Sequence, residues 1–181
     1  MRAIALQFAL QIATILLVLF VTRIRHWSLR DNLGLTWPAT RQVALWFAIF
    51  IMLLIAEEIA SRRLGLPTPA SWRGQYAPFD IALRVVNVVL TAPAFEELVF
   101  RGVVYDRVSH TPAGPIGAIV VAAVLFAGLH IQYSRGEIAF ILIDGLFYGV
   151  VRYATGSVVL TFAMHSLGNL YAVVERLRAQ P

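Results

Sequence analysis

Apolar runs of bilayer length constrain this chain more than any other feature. The stretch 3–22 carries no charge between Arg2 and Arg23. About 20 apolar residues in a helix cross the ~30 Å hydrocarbon core of a membrane. Further runs lie at about 43–60, 79–105, 116–131, 137–154 and 157–177. Within them apolar residues fall nearly all round the helix rather than on one face, which marks burial in lipid instead of a soluble core. The expectation is an all-α, polytopic transmembrane bundle of about six spans. No small-x-small cleavage site precedes Arg23, so 3–22 reads as an uncleaved first span.

Charge supports this reading. Charged residues make up 14% of the 181 positions and hydrophobic ones 59%, against about 25% charged for an ordinary soluble domain. The formal net charge is +5, but the arginines lie mostly between the apolar runs, where they meet lipid headgroups. The expected partners are therefore membrane lipids, with no nucleic acid, and the expected location is the cell membrane. The cluster Arg23, Arg25 and Arg30 favours a cytoplasmic first loop. With no cysteine in the chain, disulfides, thiolate metal ligands and a cysteine nucleophile are excluded.

Organisation follows from the connectors. Asp31–Pro38 is a polar link after the first span, and the prolines and glycines between Leu64 and Pro78 mark an interfacial excursion. We divide the chain into a two-span region, 1–78, and a core, 79–177, within one integrated membrane domain. Pro93 interrupts the third span and leaves the Val89 carbonyl without its helical donor. Gly145 and Gly149 form a small-xxx-small pair suited to close helix contact, and Thr155-Gly156 ends the fifth span.

The third span holds Glu96-Glu97-Leu98-Val99-Phe100-Arg101-Gly102. Each charge at the bilayer centre costs roughly 2.5–3.5 kcal/mol on insertion scales, so such residues are rare and usually functional. Residues four apart on a helix share a face. Glu97 and Arg101 are thus expected to pair as a brace, with Glu96 turned to the bundle interior. Downstream, Phe126 lies one turn before His130, and His165 one turn before Asn169.

These residues support two chemistries. Glu96, His130 and His165 suffice for a zinc ion with an open position for water. Alternatively Glu96 and His130 activate water directly, while His165 and Asn169 donate to a developing oxyanion. Each residue alone has a plainer reading. An intramembrane His or Asn is commonly interhelical glue, Glu97–Arg101 a clasp, and Phe126 core. Their joint occurrence on three spans carries the functional reading. Glu57-Glu58-x-x-x-Arg62 repeats the spacing of Glu96-Glu97-x-x-x-Arg101 at the end of span two. We assign it to the membrane boundary, its charges snorkelling to the interface. Asp144, in span five, has no assigned role.

Glu96-Glu97-x-x-x-Arg101-Gly102, Phe126-x-x-x-His130 and His165-x-x-x-Asn169 resemble the three motifs of the CPBP intramembrane proteases. These are the CAAX prenyl endopeptidase and bacteriocin-processing enzymes, also called the Abi family. The resemblance covers about residues 80–172. It implies a helical membrane fold and hydrolysis of a membrane-proximal peptide bond. It places Glu96 and His130 as water activators, His165 and Asn169 as oxyanion stabilisers or partial metal ligands, and Glu97 and Arg101 as support. No cofactor is obligatory on this view, with zinc as the option. The rival is a non-catalytic membrane immunity or interaction protein on the same scaffold.

Overall fold

The computed structural model describes residues 2–67 and 70–179, and among them every regular element is helical. Six helices run α1 (Arg2–Ile24), α2 (Thr40–Arg63), α3 (Pro78–Ser109), α4 (Gly114–Gly128), α5 (Arg135–Thr155) and α6 (Val158–Arg178). Five are long and apolar enough to cross a membrane. The expected fourth span, α4, has 15 residues, about 22 Å at 1.5 Å per residue and short of the ~30 Å core. The chain is a multi-pass helical membrane protein.

Local sequence sets the ends of these helices. Pro78 opens α3, where its missing N–H costs nothing. Ser134 and Glu137 form a reciprocal capping box at the start of α5. Gly156 closes α5 at φ 69°, a left-handed geometry suited to glycine. Ser157 then caps α6 by accepting from the Leu160 N–H at 3.0 Å. α4 and α5 pack tightly because Gly145 faces Ala123 and Gly149 faces Ile119. A Cβ on Gly149 would sit 2.9 Å from Ile119 Cγ2. The small-residue pair does what its spacing predicts.

Buried apolar side chains tie the bundle together in several clusters. Phe50 of α2, Tyr148 and Val151 of α5, and Leu160 and Met164 of α6 form one core. Phe100 of α3 packs with Ala122 and Phe126 of α4 in another. Most large apolar side chains of α1 and α2 instead point outward, as lipid-facing surfaces do.

α3 is a continuous helix with two wide π-helical segments, Asn87–Thr91 and Leu98–Val104. They flank the short α-helical stretch carrying Glu96 and Glu97. The first explains how Pro93 is tolerated. The Ala92 N–H reaches back five residues to the Asn87 carbonyl, so the next bond in that register would run from residue 93 to Val88. Proline cannot make it. The orphaned acceptor is therefore Val88, not the Val89 of an α-helical register.

The first connector is more than a link. Leu33 is buried and lies against Gly102, which follows the Arg of the third-span motif. Gly34, at φ 67°, leaves no room for a Cβ: Arg152 Cζ would be 2.6 Å away. The Gly34 carbonyl accepts from the Val158 N–H at 2.8 Å, and Ser157 Oγ donates to the Thr36 carbonyl. Arg152 in turn donates from Nε to the Arg101 carbonyl at 3.1 Å. The loop between α2 and α3 docks likewise, its Trp72 N–H donating to the Arg176 carbonyl at 3.2 Å.

Candidate active site

His165 is the hub of the polar interior. Its Nδ1 lies 2.9 Å from Glu97 Oε1, and its Nε2 lies 3.5 Å from Glu96 Oε2. The two neighbouring carboxylates of α3 thus approach the two nitrogens of one imidazole on α6. Glu97 Oε1 also accepts from Arg101 Nη1 at 3.0 Å, within a pair fully shielded from solvent. Arg101 is further held by Nη2 donating to the Gly145 carbonyl at 3.0 Å. Its guanidinium lies 4.6 Å from the Phe126 ring centroid, a cation–π contact that a dry interior strengthens.

The expected brace exists, and it has a second duty. Glu97 clasps Arg101 and orients His165 as well. An ionised Glu97, held by Arg101, can only accept, so His165 Nδ1 carries the proton. A neutral His165 then turns a bare Nε2 toward Glu96. A carboxylate oxygen and an imidazole lone pair repel, so one proton shared between Glu96 and His165 relieves the contact.

His130 ends the short helix α4 and presents a different face. Its Nδ1 lies 2.8 Å from the Phe126 carbonyl. A carbonyl only accepts, so Nδ1 donates, and in the neutral ring Nε2 keeps its lone pair. Phe126 fixes the spacing of the two histidines, its ring centroid 4.8 Å from His130 and 5.7 Å from His165. Tyr148 stacks on the other side of His165 at 5.3 Å. His130, His165 and Asn169 line one cavity of about 620 Å³. The Glu96 side chain is 16% exposed.

Asn169 completes the set at the backbone. Its Nδ2 donates to the Val88 carbonyl at 2.8 Å, the acceptor orphaned by Pro93. One hydrogen of the amide is thus spent on α3, about two turns before Glu96. Glu96 meets His165, and His130, His165 and Asn169 line one cavity, with Phe126 packed between the histidines and Glu97–Arg101 behind them. The zinc option fares differently. Among the described residues no three His, Asp or Glu side chains converge in a metal-binding arrangement. His165 is also engaged through Nδ1 with Glu97. The residues present do not form a ready three-ligand set.

Two carboxylates were misplaced or left unplaced by sequence reasoning. Glu57 does not snorkel to the boundary: it is half-buried and lines the same cavity as His130 and His165. Asp144 lies on that wall too. The signal for Asp144 was present in the sequence, as a charge inside a span. Nothing in the sequence told which way Glu57 faced.

The fold and site thus define a helical membrane bundle that holds a carboxylate–imidazole–carboxylate array beside a partly polar cavity. The profile of the Type II CAAX prenyl endopeptidase Rce1-like family matches residues 78–171. The chain belongs to this family, which bears out the resemblance carried by the three motifs. No curated protein and no solved structure matches it significantly.

Proposed function

We propose that this protein is an intramembrane endopeptidase of the CAAX type, hydrolysing a membrane-proximal peptide bond with water activated by Glu96 and His130. The observation that carries the reading is the placement of His165 between Glu96 and Glu97, next to a cavity lined by His130. That arrangement supplies a base, a proton carrier and a fixed tautomer, the components general acid–base catalysis needs.

In this mechanism a water lies between Glu96 and the bare Nε2 of His130. One of these groups takes its proton as the oxygen attacks the carbonyl carbon. His165, protonated at both nitrogens once Glu96 has given up the shared proton, donates through Nε2 to the oxyanion. The second amide hydrogen of Asn169 faces the same task. Collapse of the intermediate breaks the C–N bond, and the proton taken from water passes to the leaving amine. Glu97 and Arg101 hold His165 in register and touch no reacting atom. No step is routed through a metal. A prenylated C-terminal peptide is the substrate class that the family's description supplies, and a secreted peptide undergoing maturation is the other.

The test is cleavage of a peptide panel, including prenylated C-terminal sequences, by the purified protein in lipid nanodiscs, read by mass spectrometry. Glu96→Gln and His130→Ala are each expected to lower the rate by about 10²–10⁴-fold, as loss of a general base does, with unchanged melting temperature. A folded Glu96→Gln variant that cleaves at the wild-type rate, or that keeps the full biological activity of the protein, overturns the protease reading. It would favour the non-catalytic immunity or interaction role.

A further inference from the structure

Glu57 and Asp144 remain outside this mechanism, yet both line the cavity in which it is set. Glu57 Oε1 and Asp144 Oδ1 are closed off from solvent and accept no hydrogen bond. The two carboxylates come from α2 and α5 and line one cavity. Two unpartnered carboxylates facing one cavity are costly in a medium that hydrates them poorly.

Most cations near this cavity have contacts of their own, while Arg84 Nε has no hydrogen-bond partner. Arg101 and His165 are both bound to Glu97 Oε1. Arg84 lies 3.8 Å over the Tyr76 ring, and Arg176 lies 5.9 Å over that of Trp72. Of the other lining carboxylates, Glu58 is paired with Arg62 and Glu137 belongs to the capping box. Among the described lining carboxylates, Glu57 and Asp144 are left without such a partner, and a positive charge from outside the chain can meet them.

We propose that Glu57 and Asp144 form a subsite for a basic side chain, Lys or Arg, of the peptide that enters this cavity. The proposal rests on the endopeptidase reading for its substrate and deepens it. The surroundings fit such a guest. Leu54, Phe140 and Ile141 line the cavity beside the carboxylates and accept the aliphatic stem, while the charged head reaches the two oxygens. A charge-assisted bond away from water is strong and selective. Asp144 is one turn from Tyr148, which stacks on His165. A basic side chain anchored there holds a neighbouring peptide bond beside His165 and His130. The subsite therefore sets which bond is presented.

The experiment scans a single Lys, with norleucine as the neutral match, through an apolar fluorogenic peptide. Cleavage by wild-type protein in nanodiscs is compared with that by Glu57→Gln, Asp144→Asn and the double variant, each first checked for an unchanged melting curve. At one position Lys is expected to lower KM about tenfold relative to norleucine, the effect of one favourable buried charge contact. Each single variant weakens that preference and the double variant abolishes it, read as the Lys-to-norleucine ratio of KM within each protein. Binding of the same peptides to the Glu96→Gln protein, by fluorescence anisotropy, separates the two readings. A Lys preference in binding that needs Glu57 and Asp144, with no cleavage by the wild type, sinks the protease reading and leaves the subsite standing. Equal binding of Lys and norleucine at every position overturns the subsite, and so does a preference that survives in the folded variants.

Discussion

Two segments of this chain share one local pattern and differ in nearly everything that pattern is worth. In Glu57-Glu58-x-x-x-Arg62 the second glutamate clasps the arginine, Glu58 Oε1 lying 2.5 Å from Arg62 Nε. In Glu96-Glu97-x-x-x-Arg101 the second glutamate does the same at 3.0 Å. In both, the first glutamate is left over and faces the interior. The environments diverge: the Arg62 and Glu58 side chains are 77% and 37% exposed, whereas those of Arg101 and Glu97 are both 0% exposed. Spacing alone writes the clasp. Burial, and the imidazole delivered by α6, turn one copy into the centre of a site.

The sharpest way to break the comparison is to delete the cation from each copy. Arg101→Met leaves Glu97 as an uncompensated buried charge and frees the Gly145 carbonyl. Removing one partner of a buried pair typically costs about 3–5 kcal/mol. We expect a large fall in melting temperature in detergent, together with loss of activity as His165 loses its fixed neighbour. Arg62→Met should leave the melting curve in place. Equal losses at the two sites would show that burial is not what separates them.

A smaller effect concerns the backbone that carries Glu96. Asn169→Ala leaves the Val88 carbonyl without a donor, which costs about 1–3 kcal/mol when the acceptor is buried. The cause assigned here gives an unusual cross-check. In a Pro93→Ala background residue 93 regains its N–H and can serve Val88 itself, so Asn169→Ala should cost clearly less there. If the two substitutions add instead, Asn169 is not replacing the bond that proline removed. Its second hydrogen would then be its whole contribution, visible in the cleavage rate and not in the melting curve.

What the sequence discloses follows from the range of the forces involved. Spans are legible because lipid rewards apolar length directly, and the Glu97–Arg101 clasp because four residues fix a face. The order of motifs along the third, fourth and sixth segments named the candidate site residues. Three things were hidden. That His165 lies between Glu96 and Glu97 depends on the rotation of α6 against α3. The shift of the orphaned carbonyl from Val89 to Val88 depends on a π register that proline invites but does not spell out. The seating of Gly34 over Arg152 joins residues more than a hundred positions apart, and an exposed-looking polar connector gives no sign of it. Each is a tertiary fact, decided by neighbours that pattern reading along one helix does not see.

The smallest predicted effect completes the comparison from the exposed side. Glu58→Gln removes the charge from an ion pair open to water, where Coulomb attraction is screened and side-chain ordering opposes it. No change in melting temperature is expected, and none in the hydrolysis of a neutral peptide. Glu57→Gln, one residue earlier, should likewise leave neutral-peptide hydrolysis intact but weaken selection for a basic side chain. Two neighbouring glutamates would then differ in substrate choice alone, and that difference would place the functional boundary of α2 between residues 57 and 58. A loss of neutral-peptide hydrolysis in Glu58→Gln would move the boundary outward by one helical position and bring the exposed clasp into the working site.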